Sequence, residues 1–239
     1  MSKTPQFHRV LIKLSGEMMS EGDQFGISPE SAAYLAEEVK SIHDLGVDII
    51  LIVGAGNIFR GISAASRGMD RVSGDYLGML ATIMNAVALQ DALQKISCQT
   101  RTLSAITVTQ IAEPYVRSRA IRHLNKGRIV IVAGGTGNPF FTTDSAAGLR
   151  AIELGAQILI KATKVNGVFD KDPAKFKDAL KYDHICYDEV LKLNLRVMDL
   201  TAITLCKENN LPIRVFDIKH SGYLKEIIKG ANLGTLVTG

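Results

Sequence analysis

Residues 128–147 read RIVIVAGGTGNPFFTTDSAA, a β-branched apolar run, a cluster of glycines, small hydroxyl residues and then a single acid. The run ending at Gly134-Gly135-Thr136-Gly137 predicts a buried strand whose carboxyl end opens into a loop of backbone amides free of side chains. Such amides suit a phosphate. Thr136, Thr142 and Thr143 add hydroxyl donors. Asp144 stands just before a small-residue helix, SAAGLRAIELGA, where it either caps that helix or faces a reacting group. The plain alternative is a glycine turn followed by a capping acid.

Other predicted strands end in the same way. Residues 8–14 run into Lys13-Leu14-Ser15-Gly16, residues 47–53 into Gly54-Ala55-Gly56-Asn57-Ile58-Phe59-Arg60-Gly61, and residues 157–161 into Lys161-Ala162-Thr163-Lys164-Val165-Asn166-Gly167-Val168. A lysine beside a flexible turn can aim its ammonium at phosphate oxygens, and an arginine can pair with phosphate through two nitrogens. An edge lysine and a solvated arginine are the competing readings. The 54–61 spacing departs from the dinucleotide fingerprint, because the third glycine falls at 61 and not 59, and no Gly-Lys dipeptide exists to make a Walker A loop.

Ser28-Pro29-Glu30 predicts a helix start, with Ala32, Leu35, Val39 and Ile42 on its buried face and Gly46 at its end. Residues 69–92 form a long helical pattern with Leu77, Leu80, Met84 and Val87 on one face and with Met79 and Met84 read as core. Asp75, near its start, is either a dipole partner or an acceptor for sugar hydroxyls. Arg117, Arg119, Arg122, His123, Lys126 and Arg128 carry most of the basic surplus, as a solvated helix face or an anion or effector site. Further strands are expected at 100–106, 213–216 and 235–237, and short helices at 190–195, 199–209 and 221–229. Residues 169–181 make a loop long enough to be a lid, in which Phe169 lies against a purine or anchors the loop. Strands alternating with helices imply an α/β fold, a three-layer αβα sandwich around a mostly parallel sheet, with ligand loops gathered at its carboxyl edge. No linker or repeat divides residues 1–239, so one domain is expected.

Composition narrows the class. The chain has 239 residues, 46% of them hydrophobic, but its apolar runs are shorter than a membrane span and its first residues, MSKTPQFHRV, lack the apolar centre of a signal peptide. A cytoplasmic protein with no membrane segment is the expectation. Cys98, Cys186 and Cys206 are few and widely spaced, which argues against a disulfide framework or a zinc site. A net charge of +4 suits anionic small substrates, and no nucleic-acid motif accompanies it.

KLSGE at 13–17, GAGNIFRG at 54–61, GDYLGMLATIMNA at 74–86, GTGNPFFTTDSAA at 135–147, KATKVNGVFDKDP at 161–173 and VMDL at 197–200 resemble the bacterial uridylate kinases of the amino-acid kinase family over essentially the whole chain. The resemblance implies the amino-acid kinase fold and transfer of the γ-phosphoryl of ATP to UMP with Mg2+, giving UDP and ADP for pyrimidine biosynthesis. It implies a homohexamer, usually activated by GTP and inhibited by UTP. By motif, Lys13, Leu14, Ser15 and Gly16 meet the ATP phosphates, and Thr163, Phe169 and Asp172 flank the adenine nucleotide. Ala55 and Asp75 lie on UMP, whose pocket is lined by Thr136, Gly137, Asn138, Pro139, Phe140, Phe141, Thr142 and Thr143. Gly56 and Arg60 sit between the nucleotides. Glu21, Gly22, Asp23, Gln24, Phe25 and Gly26 match the activator loop, and Arg101 and Arg128 are candidates for the same effector site. The chain departs from the commonest pattern at Ala55, where glycine is usual, and at Asn166, where aspartate is frequent. Ala55 is tolerated if its φ is not positive.

Phosphoryl transfer asks mainly for positioning and for positive charge on the equatorial oxygens. Lys13 is therefore assigned to the donor phosphates, Arg60 to neutralisation, Asp144 to holding the lysines and Lys161 to a second cation. Two alternatives stand beside this reading. One is another acceptor of the same superfamily (carbamate, glutamate, acetylglutamate or aspartate), and the other is a storage or sensing protein that binds nucleotide without turnover.

Overall fold

The computed structural model describes residues 4–22, 24–59 and 68–239. The apolar strands β1 (Arg9–Leu14), β2 (Asp48–Val53) and β5 (Ile129–Ala133), the more polar β3 (Thr100–Ser104) and the two-residue β4 (Glu113–Pro114) make one half of a nine-stranded sheet. β6 (Ile158–Thr163), β9 (His184–Cys186), β10 (Ile213–Asp217) and β11 (Thr235–Thr238) make the other. The order is β4-β3-β5-β2-β1-β6-β10-β11-β9, and every pair is parallel apart from β10 with β11. β7 (Val168–Phe169) and β8 (Lys181–Tyr182) pair as a separate antiparallel ribbon at the base of the expected lid.

Strand alternation divides the core into two layers. Val10, Ile12 and Leu14 face α1 (Pro29–His43), α2 (Arg71–Lys95) and α7 (Tyr223–Ile228). Leu11 faces the other way, toward α3 (Arg117–Leu124), α4 (Thr143–Glu153), α5 (Tyr187–Lys192) and α6 (Leu200–Glu208). This is the expected three-layer sandwich. The α1 start is also as read, since the Ser28 hydroxyl accepts from the Ser31 N–H at 3.1 Å and Ala32, Leu35, Val39 and Ile42 are buried.

The long helix α2 corrects the sequence reading. Leu77, Leu80, Met84 and Val87 are its exposed face, with Met84 54% exposed, while Met79, Ile83, Ala86, Leu89 and Leu93 are buried. The helix is apolar on nearly all sides, so periodicity marks more than one stripe and cannot say which one the sheet takes. It is long and apolar enough to cross a membrane by length and composition alone, but it packs on α1, β2, β3 and β5 as a helix of the core and is not a convincing span. α5 begins earlier than expected, at Tyr187, where the Glu189 carboxylate accepts from the Cys186 N–H.

Candidate active site

The parallel sheet brings the loops after β1, β2, β5 and β6 to one rim. Two lysines are fixed there by register, because Lys13 on β1 is the strand partner of Lys161 on β6. Both project to the same face as Leu11 and Leu159, toward the start of α4. Asp144, in the first turn of α4, lies between them, with Oδ1 at 2.9 Å from Lys13 Nζ and Oδ2 at 3.0 Å from Lys161 Nζ. Lys161 also donates to the Val197 carbonyl. Burial alone would raise the Asp144 carboxyl, but the charges of Lys13 and Lys161 outweigh it and hold the group down at about 2. Burial pulls the Lys161 ammonium below its ordinary value, with Lys13 adding to the effect and Asp144 opposing it.

Asp144 is therefore not the cap. Thr142 is, its hydroxyl accepting from the N–H groups of Asp144 and Ser145 at 3.0 and 3.4 Å, which frees the acid for the lysines. Asp199, read in the sequence as part of VMDL and as the start of a short helix, joins two helix starts. It accepts from Ser145 N and Oγ and from the Thr142 hydroxyl on α4, and caps α6 through Ala202 N at 2.8 Å. An acid just before a helical LTAI pattern was a readable cap signal. The small residues Ala146, Ala147, Gly148 and Ala151 let α4 approach the sheet and α6 closely.

Two cavities flank this centre. The first, about 450 Å³, is lined by Ala55, Gly56, Asp75, Thr136, Asn138, Phe141, Thr142 and Thr143, all expected by resemblance. It is completed by Phe59, Gly74, Gly78, Met79, Thr82 and Gly135, which the sequence reading did not assign. Gly137, Pro139 and Phe140 do not line it. The Asp75 carboxylate is gripped by Arg71 Nε at 2.9 Å and accepts the Phe140 N–H at 2.7 Å, so it belongs to the second turn of α2 and ties the loop after β5 to that helix. Phe140 has φ +70, a backbone conformation unusual for an aromatic residue. Ala55 is not among the described non-glycine residues at positive φ, so its methyl is accommodated as anticipated.

The second cavity, about 520 Å³, is lined by Lys161, Thr163, Phe169 and Asp172 with Val215 and the 193–197 segment. Lys13 is buried beside it at the end of β1, and Leu14 is a core side chain whose carbonyl accepts from Gly54 N. Gly16 is required by close approach, since a Cβ there would stand 2.5 Å from Gly56 N and 2.7 Å from Gly54 O. Gly134, Gly135 and Gly137 all have positive φ, which turns the loop after β5 back over the rim.

Arg60 and Asp23 fall outside the described residues. Gly22, Gln24 and Phe25 border a cavity of about 310 Å³ with Gly56, Asn57 and Lys164, and Gly26 is bonded to Asn57. Arg101 and Arg128 lie elsewhere, at the amino-terminal side of β3 and β5, where Arg128 contacts His123 at 3.1 Å and Arg101 stands 3.9 Å from Glu113. The residues expected to share one effector site are thus at opposite edges of the sheet within one chain.

An acidic clasp over paired ammonium groups, between two cavities and above glycine loops, defines a site for gathering the oxygens of two anions. The sequence model of the amino acid kinase family matches residues 8–217, and the chain belongs to that family. Among solved structures, the UMP kinase of Bacillus anthracis is similar at 39% identity and TM-score 0.94, over 97% of this chain and 96% of that one. The UMP kinase of Ureaplasma parvum follows at 35% and 0.91, over 97% and 99%. The uridylate kinase of Archaeoglobus fulgidus matches at 26% and 0.75, over 96% and 99%.

Proposed function

We propose that this chain transfers the γ-phosphoryl group of ATP to UMP, forming UDP and ADP in pyrimidine nucleotide synthesis. The observation that carries the mechanism is the position of Asp144 between Lys13 and Lys161, one residue from Thr143 of the first cavity and paired with Lys161 of the second. ATP occupies the second cavity and UMP the first. The acceptor oxygen is already an ionised phosphate, so no side chain has to remove a proton. What the protein supplies is relief of repulsion, and Lys13 and Lys161 provide two fixed cations that Asp144 holds apart and oriented. The absence of a side chain at Gly16 and Gly56 allows close approach of phosphate oxygens, whereas the Gly137 N–H is already spent on the Gly134 carbonyl at 2.9 Å. Arg60 adds a further cation by the resemblance alone.

Magnesium bound with ATP would supply neutralisation of phosphate oxygens. Among the described residues no three His, Cys, Asp or Glu side chains cluster. Both Asp144 oxygens face ammonium groups, a donor set that fits a cation carried in on ATP better than one held by the protein.

One sheet supplies both cavities, which supports action as one domain, 1–239. The exposed stripe Tyr76, Leu77, Leu80, Met84 and Val87 on α2 supports association of copies, in keeping with the implied homohexamer. Control by GTP and UTP remains part of the proposal; the contact of the 20–26 segment with the glycine loop is what favours it. The cytoplasm is the compartment this reading implies.

The test is ADP release from ATP and magnesium with UMP, CMP, AMP, carbamate and glutamate as parallel acceptors. Selective turnover with UMP is expected. Nucleotide binding without turnover on any acceptor would instead favour a sensor or storage protein.

A further inference from the structure

Two asparagines lie buried behind the glycine loop, Asn57 at 4% and Asn85 at 0% exposure. Their amides face one another and are fully used. Asn85 Nδ2 donates to Asn57 Oδ1 at 2.8 Å and to the Gly54 carbonyl at 2.7 Å, while Asn57 Nδ2 donates to Asn85 Oδ1 at 3.0 Å and to the Gly26 carbonyl at 2.7 Å. A buried primary amide is costly unless every donor finds an acceptor, and here all four donor hydrogens do. Asn85 and Thr82 are polar residues on a mostly apolar buried face of α2 that also carries Ile83, Ala86 and Leu89, and a leucine at 85 would fill similar volume without that demand.

Neither amide lines the acceptor cavity, so the pair acts through the loop it holds. That loop has no slack. Gly54 O, Gly56 N and Asn57 Oδ1 all lie within 2.8 Å of where a Cβ on Gly16 would stand, so any shift of the 54–57 loop is felt in the turn after Lys13. Gly26 N also donates to Asn57 O at 2.9 Å, which fastens the 20–26 segment to the same residue by both backbone groups.

We propose that the Asn57–Asn85 pair is the positioning element that sets the 54–57 loop against the 13–16 turn, and that through Gly26 it couples that loop to the 20–26 segment. The inference rests on the phosphotransfer reading for its catalytic consequence, but its structural part does not.

The experiment compares wild type with Asn85→Leu, Asn57→Leu, the double variant and Asn85→Asp, each checked by thermal unfolding. Displacing a positioned group by an ångström costs about 10²-fold in rate, so Asn85→Leu is expected to lower kcat by roughly 10- to 100-fold while KM for UMP changes little. The double variant is expected to lose no more than either single one, because the two amides form one unit. Asn85→Asp places a buried carboxyl against two acceptors, where only its protonated form can donate, so kcat should rise as pH falls from about 8 to 6 while wild type shows no such rise. A lowered melting temperature with unchanged kcat, or additive losses, would overturn the proposal. Amide hydrogen exchange separates it from the activity reading. Even if wild type turns over no UMP, Asn85→Leu must speed exchange in both 54–57 and 20–26, and unchanged exchange in either segment refutes the coupling.

Discussion

Asp75 Oδ2 accepts the Phe140 N–H at 2.7 Å, so a carboxylate on α2 fixes a left-handed aromatic residue 65 positions away in the loop beside the first cavity. Arg71 holds the same carboxylate from the other side. Asp75→Ala removes both contacts and frees the 136–141 loop. KM for UMP is expected to rise at least tenfold with KM for ATP nearly unchanged, read from initial rates with each substrate varied; removal of an interaction common to bound and transition states has that signature.

Lys13→Ala deletes one of the two cations beside Asp144. Loss of a preorganised charge of this kind costs about 10²–10³ in turnover, and the variant should still fold because Lys161 keeps the carboxylate paired. Turnover and circular dichroism together check it. Near-normal turnover would remove Lys13 from the mechanism.

Asp144→Asn separates the two jobs of the acid. In the folded protein the carboxyl sits at about 2 against an ordinary 3.8, so its contribution to stability is fully present above pH 3.8 and is lost as pH falls toward 2. The asparagine variant lacks this acid limb. It also leaves two buried ammonium groups without their counter-charge, a loss of about 3–5 kcal/mol at neutral pH. The Asp144 attraction supports the Lys161 proton, so the alkaline limb of kcat/KM should move to lower pH in the variant. Urea unfolding across pH and a rate profile measure both effects.

The outward stripe of α2 predicts that Leu80→Glu with Met84→Glu shifts the protein to smaller species in sedimentation without unfolding it, since both side chains are exposed in the single chain. Unchanged mass would show that another surface holds the assembly.

The layers, the parallel order and the rim were legible because β-branched runs ending in glycine have few other solutions. The glycine loops gathered at that rim were legible for the same reason. Three features were not. Thr142 and not Asp144 caps α4, a shift of two residues that no pattern distinguishes when hydroxyls and an acid stand together. The buried face of α2 was ambiguous because apolar residues encircle the helix. Asn85 reads in sequence as one more polar residue along a mostly apolar helix, and its meaning depends wholly on Gly54 and Asn57 being brought to it by the fold.

The pairing of Lys13 with Lys161 across β1 and β6 has a bearing on folding fidelity as well as on chemistry. Strand side chains alternate, so a slip of one residue would send either lysine to the opposite helical layer, among leucines and away from Asp144. A chain assembled out of step would bury a lone cation and would also break the Lys13–Asp144–Lys161 clasp. On the phosphotransfer proposed above, turnover would read out correct strand alignment, and a misthreaded copy would be silent, not merely slow.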